Sequence, residues 1–289
     1  MFFYVQIYNF FFINVSIIRK KILSLHSVNK KNIISIAIPL FLLTVICIGS
    51  IFVLKYRPVK FLFRHPKPKA INSRPRIWPS RDLQEGKPFS TDYDGIDISL
   101  HQGCIRWKEI DSIKPKFIYI RAMGRKARYD SLYQHNLTQA RIRKIPVGTY
   151  IFYTHDIPVR EQFRKFIAAA RKEEQDLIPV IDVEELSISA DVNIKQLKDS
   201  VMLLSRYMKQ FYGKHPMIYS NQNFYIKYLA PELNRHTLWI ANYSRRPVIS
   251  GARPILWQRS ESGHVPGIYT SVDLDTFING GSIKHLILR

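Results

Sequence analysis

The order of apolar and polar positions divides the chain into two unlike parts. From Ile33 to Val53, 21 consecutive positions carry no charge; as a helix that length matches the ~30 Å hydrocarbon core of a bilayer. The run passes straight into Lys55, Tyr56 and Arg57 without a small-residue cleavage site, so it predicts a retained transmembrane anchor over 33–54 rather than a signal peptide. The competing reading is a buried core helix, and the absence of any polar stripe argues against it. Residues 1–32 read as a basic, partly apolar leader in which Gln6, Asn9 and Asn14 interrupt the apolar stretch.

Beyond residue 92 the pattern becomes short and repetitive. β-rich runs recur at Gly95–Ser99, Phe117–Met123, Val147–Tyr153, Ile178–Glu184, Met217–Ser220, Leu238–Tyr243, Ile255–Arg259 and Asp273–Phe277. Several are unbroken apolar runs that end on a polar residue, the signature of parallel strands buried on both faces. Helical stripes fill the earlier intervals. Asp156 is the expected N-cap and Pro158 suits a first turn, ahead of Val159, Phe163, Phe166, Ile167 and Ala170 on one face. Ile194, Leu197, Val201, Leu204, Met208 and Phe211 mark a second helix that Gly213 would stop, and a weaker one covers Ser131 to Lys144. Intervals after the sixth strand are too short for a crossover helix. The pattern predicts an α/β fold, an irregular (β/α) TIM-like barrel over 92–289 with reduced helices at its C-terminal end, preceded by one transmembrane helix. An open doubly wound sheet is the alternative.

Charge refines this division. The formal net charge is +22. Residues 1–91 hold 15 Lys and Arg against Asp82 and Glu85 alone, which leaves +9 for the remainder. Within 55–91, Pro58, Pro66, Pro68, Pro75, Pro79 and Pro88 stand among basic side chains, a composition that makes an extended, semi-rigid linker. Basic surfaces draw polyanions, yet no Arg-rich recognition helix or zinc-finger spacing is present, so no nucleic-acid partner is expected. Basic residues flank the apolar span on both sides (Arg19, Lys20, Lys21, Lys30 and Lys31 before it; Lys55, Arg57, Lys60 and Arg64 after it), so the positive-inside rule gives no orientation. Cys47 and Cys104 are the only cysteines and form no disulfide framework; Cys104 reads as a buried thiol.

In a barrel, functional side chains stand at the C-terminal ends of the strands. Those ends supply Asp97, Arg121, Tyr150, Asp182 with Glu184, Tyr219, Asn242 with Tyr243, Gln258 and Asp273. Several acids aimed at one mouth raise each other's pKa and cost stability, which a purely structural protein has no reason to accept. Asp182 and Glu184 lie two apart on one strand, on the same face and roughly 6.6 Å apart along the chain. Their mutual repulsion favours keeping one of them protonated, as a general acid requires. Trp107, Tyr150, Tyr219, Trp239, Tyr243 and Trp257 could stack on sugar rings, although Trp239, mid-strand, reads better as core. His101 lacks a spaced partner for metal binding and reads as a hydrogen-bonding loop histidine.

These motifs resemble glycoside hydrolase family 25, the Chalaropsis-type lysozymes (N-acetylmuramidases). The resemblance rests on Gly95-Ile96-Asp97-Ile98-Ser99, Phe117-Ile118-Tyr119-Ile120-Arg121-Ala122, the pair Asp130 and Asn136, Val147-Gly148-Thr149-Tyr150, and Pro179-Val180-Ile181-Asp182-Val183-Glu184. It continues through Pro216-Met217-Ile218-Tyr219, Leu238-Trp239-Ile240-Ala241-Asn242-Tyr243, Leu256-Trp257-Gln258 and Val272-Asp273-Leu274. It implies that Glu184 is the general acid and that Asp182 orients the substrate's 2-acetamido group as internal nucleophile with retention, while Asp97 and Asp273 complete the catalytic set. It also implies substrate contacts from Arg121, Tyr150, Phe152, Tyr219, Asn242, Tyr243, Trp257 and Gln258, with no metal and no cofactor. The implied partner is a peptidoglycan glycan strand, met outside the cytoplasm by a monomer anchored through its N-terminal helix. The chain departs from the family at Ile151, Arg106, Arg259 and Asp275, where His, Asp, Tyr and Asn are common. Other readings are a chitinase-like or endo-N-acetylglucosaminidase barrel, a non-catalytic wall-binding module, and a metal-dependent phosphodiesterase.

Overall fold

Residues 87–289 are described in the computed structural model of the protein; the expected anchor over 33–54 and most of the expected linker lie outside them. Among the described residues no helix is long and apolar enough to cross a membrane.

Apolar runs at the eight expected places form strands: β1 (Gly95–Ile98), β2 (Phe117–Gly124), β4 (Val147–Phe152), β5 (Val180–Asp182), β6 (Met217–Asn221), β7 (Leu238–Ala241), β8 (Leu256–Gly263) and β9 (Val272–Phe277). The short β3 (Arg128–Tyr129) turns back on β2. Neighbours run β1-β9-β8-β7-β6-β5-β4-β2, and a β1–β2 pairing closes the ring. From β1 through β2, β4, β5, β6, β7 and β8 each pairing is parallel. β9 is antiparallel to both β8 and β1, so the barrel is mixed rather than wholly parallel. The reason is length. A parallel crossover needs about a dozen residues or more, and the short segment 264–271 between β8 and β9 closes a hairpin instead.

The helices are α1 (Trp107–Ile110), α2 (Tyr133–Ile142), α3 (Val159–Ala169), α4 (Ile194–Tyr212), α5 (Gln222–Phe224, running on into a π-helical turn over Tyr225–Leu229) and α6 (Ile283–Leu286). α4 follows its apolar stripe closely. Asn193 Oδ1 accepts the Gln196 N–H at 3.0 Å, Leu197, Val201, Leu204 and Met208 are buried, and Gly213 ends the helix at φ 94°. The start of α3 differs from expectation, because Pro158 rather than Asp156 occupies the N-cap. The entering loop is held by buried Gln162, which accepts from the Thr154 N–H at 3.0 Å and donates to the Thr154 and Ile157 carbonyls at 2.8 Å each. The first described residues also belong to the folded unit. Phe89 packs on the His264 ring, and Ser90 N–H donates to the His264 carbonyl at 2.8 Å, so the domain includes residues expected in the linker.

Beneath the mouth the barrel interior is filled by rings. Tyr119 and Trp239 have centroids 5.2 Å apart, and Trp239 is 2% exposed, a core residue as its mid-strand position predicts. Tyr119 fits because its register partner on β4 is Gly148. A Cβ there would stand 2.0 Å from Tyr119 Cε1. Gly148→Ala is therefore expected to destabilise the domain by about 1–3 kcal/mol through overpacking, read as a lower midpoint in urea denaturation with an unchanged slope.

Candidate active site

Alternation along each strand sends one set of residues inward. The register aligns Asp97 with Tyr119, Arg121 with Tyr150, Phe152 with Asp182, Asp182 with Tyr219, and Gln258 with Asp275. At the end of the ring where the parallel strands finish, these side chains surround a cavity of ≈ 240 Å³. Asp97, Arg121, Tyr150, Asp182, Glu184, Tyr219 and Gln258, read from the strand ends, line it together with Phe152, implied by the resemblance, and Asp273, and Ser99, His101, Gln102, Val180 and Trp239 complete the wall.

Asp273 reaches the mouth by a different route from the other acids. Because β9 is reversed, its beginning lies where the other strands end. Asp273 is then directly opposite Asp97, and Asp275, two residues on and facing the same way, sits deeper. Asp275 is completely buried and accepts from Trp239 Nε1 at 2.9 Å through Oδ1, while its Oδ2 has no partner.

β5 is short and buried throughout, and Glu184 follows it in extended conformation, φ −136° and ψ −176°. Glu184 N–H donates to Ser187 Oγ at 2.9 Å, which fixes the turn that holds the carboxyl over the cavity. Asp182 is 5% exposed and its Oδ1 is buried without a hydrogen-bond partner. Gln258 links the opposite wall. Its Nε2 donates to Asp97 Oδ2 at 2.8 Å, and its Oε1 accepts from the Tyr219 and Tyr243 hydroxyls at 2.7 and 2.8 Å.

Burial dominates the electrostatics. It raises Asp97 and Asp182 well above the ordinary carboxylate range, with Asp273 adding to the effect on Asp97 and Glu184 to that on Asp182. Glu184 is raised by burial as well, against a lowering hydrogen bond from Asp182. Asp273 is pushed up to about 7, again by burial first and then by Glu261 and Glu184. The Arg121 guanidinium works in the other direction on Asp97 and Asp182. Two neighbouring buried acids with raised pKa hold a proton near neutrality, the property a general acid needs. Among the described residues no three His, Cys, Asp or Glu side chains are grouped to hold a metal ion.

Some expectations need correction. Trp257 lies between inward-facing Leu256 and Gln258 and so faces away from the cavity; its Nε1 donates to the Asn242 carbonyl at 2.8 Å. The Asn242 side chain is taken up by Gln222 Oε1 and by the N–H groups of Ser244 and Arg245, so it shapes a loop instead of lining the site. Tyr243 stands at the edge, 45% exposed, attached through Gln258. Trp107 is buried in α1 under Arg143, remote in role from sugar stacking. His101 makes no side-chain hydrogen bond among the described residues and stands at the mouth, its pKa lowered by partial burial and by Arg121. Cys104 is exposed, not buried, because its loop lies beyond the end of β1. Glu261, on the outer part of β8, raises both Glu184 and Asp273. The polar run Ser260-Glu261-Ser262 hid that extension from the apolar pattern.

A closed ring with paired buried carboxyls over one sugar-sized mouth is the architecture of a barrel glycoside hydrolase. The sequence model of the glycosyl hydrolases family 25 matches residues 96–268, and the chain belongs to that family. It is similar to protein YegX of Escherichia coli K12, at 29% identity over 205 residues, 69% of this chain and 74% of YegX. It is also similar to the autolytic lysozyme of Clostridium acetobutylicum, at 28% identity over 186 residues, 64% of this chain and 56% of that enzyme. Among solved structures, a family 25 glycosyl hydrolase from Bacillus anthracis superposes with a TM-score of 0.60 at 25% identity, covering 68% of this chain and 94% of that one.

A raised pKa on an acid means the folded state binds the proton more tightly than the unfolded chain. The stabilisation this gives is complete below the ordinary value of 3.8 and is lost as pH rises through about 7 for Asp273. Asp273→Asn is expected to raise the thermal midpoint at pH 8 while leaving it unchanged at pH 3, as measured by calorimetry at the two pH values.

Proposed function

We propose that the protein is a peptidoglycan hydrolase that cuts the β-1,4 bond between N-acetylmuramic acid and N-acetylglucosamine. The observation that carries this reading is the Asp182–Glu184 pair at the end of β5, inside an acidic cavity on a family 25 barrel. Glu184, at the outer end of the pair, protonates the leaving glycosidic oxygen. Asp182 has a buried oxygen with no partner, and a substrate acetamido N–H is the group that would satisfy it. That hydrogen bond favours ionised Asp182, leaves the shared proton on Glu184, and turns the acetamido carbonyl toward the anomeric carbon as nucleophile. Such acetamido assistance departs from the two-carboxylate scheme and gives net retention. Asp97 and Asp273 hold sugar hydroxyls, with Gln258 fixing Asp97. The autolytic lysozyme among its relatives supports the substrate class.

The uncharged run 33–53 supports a membrane anchor, and a peptidoglycan substrate supports a barrel that works outside the cytoplasm. An endo-N-acetylglucosaminidase would share the Asp-x-Glu pair, and the products separate the two readings. Muramic acid at the new reducing end, seen by mass spectrometry of digested peptidoglycan, is expected; glucosamine there would replace the muramidase assignment. Glu184→Gln is expected to lower kcat by about 10²–10⁴-fold with the fold intact, checked by reducing-end release beside a circular-dichroism melt. Unchanged lysis by that variant would sink the mechanism.

A further inference from the structure

One basic element beside the mouth has no part in the reaction above. β2 continues past Arg121 to Gly124, turns through Arg125–Ala127 and returns as β3. Its base is fixed at the cavity. Arg121 Nε donates to Asp130 Oδ2 at 3.0 Å, with the two side chains 13% and 0% exposed. The same Asp130 accepts from the backbone N–H groups of Leu100 at 2.8 Å and Leu132 at 3.0 Å. The hairpin is thereby tied to the loop after β1 that carries His101 and Gln102 into the cavity wall.

The turn itself is specifically built. Lys126 and Ala127 stand at φ 55° and 49°, consecutive non-glycine residues in the left-handed region that L side chains rarely adopt. Ala127 is buried at 3%, and Lys126 N–H donates to Thr154 Oγ1 at 3.2 Å, so the next loop holds the turn as well. The outcome is that Arg125, Lys126 and Arg128 project into solvent next to Tyr129, which is 54% exposed. None of the three cations has an ion pair among the described residues.

We propose that this hairpin is a second subsite, one that binds the carboxylates of an acidic peptide carried by the glycan strand. The inference rests on the muramidase reading and deepens it. N-acetylmuramic acid bears its peptide on a lactyl ether beside the bond to be cut, so the peptide must lie along the rim of the cavity. The cavity is lined with acids and its guanidinium, Arg121, is already paired with Asp130, so it offers an anionic substituent no free partner of opposite charge. A fixed group of cations at one side gives such a substituent a place of opposite charge, while Tyr129 offers it an apolar face. Exposed charges of this kind act on encounter and binding more than on the chemical step.

The test compares the full chain with the Arg125→Gln/Lys126→Asn/Arg128→Gln variant; Asn is chosen at 126 because it tolerates the left-handed conformation. Three substrates are used, all peptidoglycan freed of phosphate polymers: one with intact peptides, one with peptide carboxylates amidated, and one with peptides removed by an amidase. The wild-type chain is expected to show a KM about tenfold lower on intact strands than on the other two, and the variant the same high KM on all three with kcat unchanged. A variant that keeps the wild-type preference, or a wild-type chain indifferent to amidation, overturns the subsite. A wild-type chain that cleaves none of the three overturns the muramidase reading as well, which separates the two failures.

Discussion

The organisation of this domain depends on the free-energy cost of gathering carboxyl groups in a place where water is scarce. Asp97, Asp182 and Asp275 are almost or completely buried, and Asp97 disfavours ionisation of the other two. Hydrogen bonding meets that cost only in part. Gln258 serves Asp97, Trp239 serves one oxygen of Asp275, and Arg121 brings a guanidinium to the cavity wall. What remains unmet, chiefly at Asp182 and Asp275, is available to a substrate or is carried as retained protons. The arrangement persists because the closed ring leaves those side chains no other direction in which to point.

The polar residues beneath and around the mouth are correspondingly specialised. Gln258 receives two tyrosine hydroxyls on its carbonyl oxygen, which fixes the orientation of its amide and so makes its nitrogen a donor to Asp97. Asp130 plays the matching part on the other side, taking Arg121 and two backbone N–H groups on one carboxylate. Gln258, Tyr219 and Arg121 stand on strands of the barrel, and Tyr243 and Asp130 fasten the adjoining loops to them, which is how positional precision is kept in a site of this type.

Much of this was readable from residue order. The eight strands and the α4 stripe followed from periodicity alone, and the acids at strand ends followed from the rule about barrel mouths. Trp257 shows where that reasoning stops. It lies on the expected strand but at its beginning, and the phase of alternation, set by Leu256 and Gln258 facing inward, sends the indole outside. The reversal of β9 left no mark in its own apolar residues, and the brevity of the 264–271 interval that explains it emerges only with the polar extension of β8. Glu261 lay in a polar stretch that gains its place from pairing with β9, a long-range contact that local pattern does not encode. Gln162 is similar, because a buried glutamine that closes a loop resembles a solvent-facing one until its partners are known.

The docking of Phe89 and Ser90 against His264 has a topological consequence. His264 follows the end of β8, on the side of the ring where the carboxyls open to solvent, so the polypeptide arrives at the barrel on its working face and only then descends to Gly95 to begin the first strand. The docked segment Pro88-Phe89-Ser90 therefore shares that face with the incoming glycan and limits the angles from which a long polymer can approach.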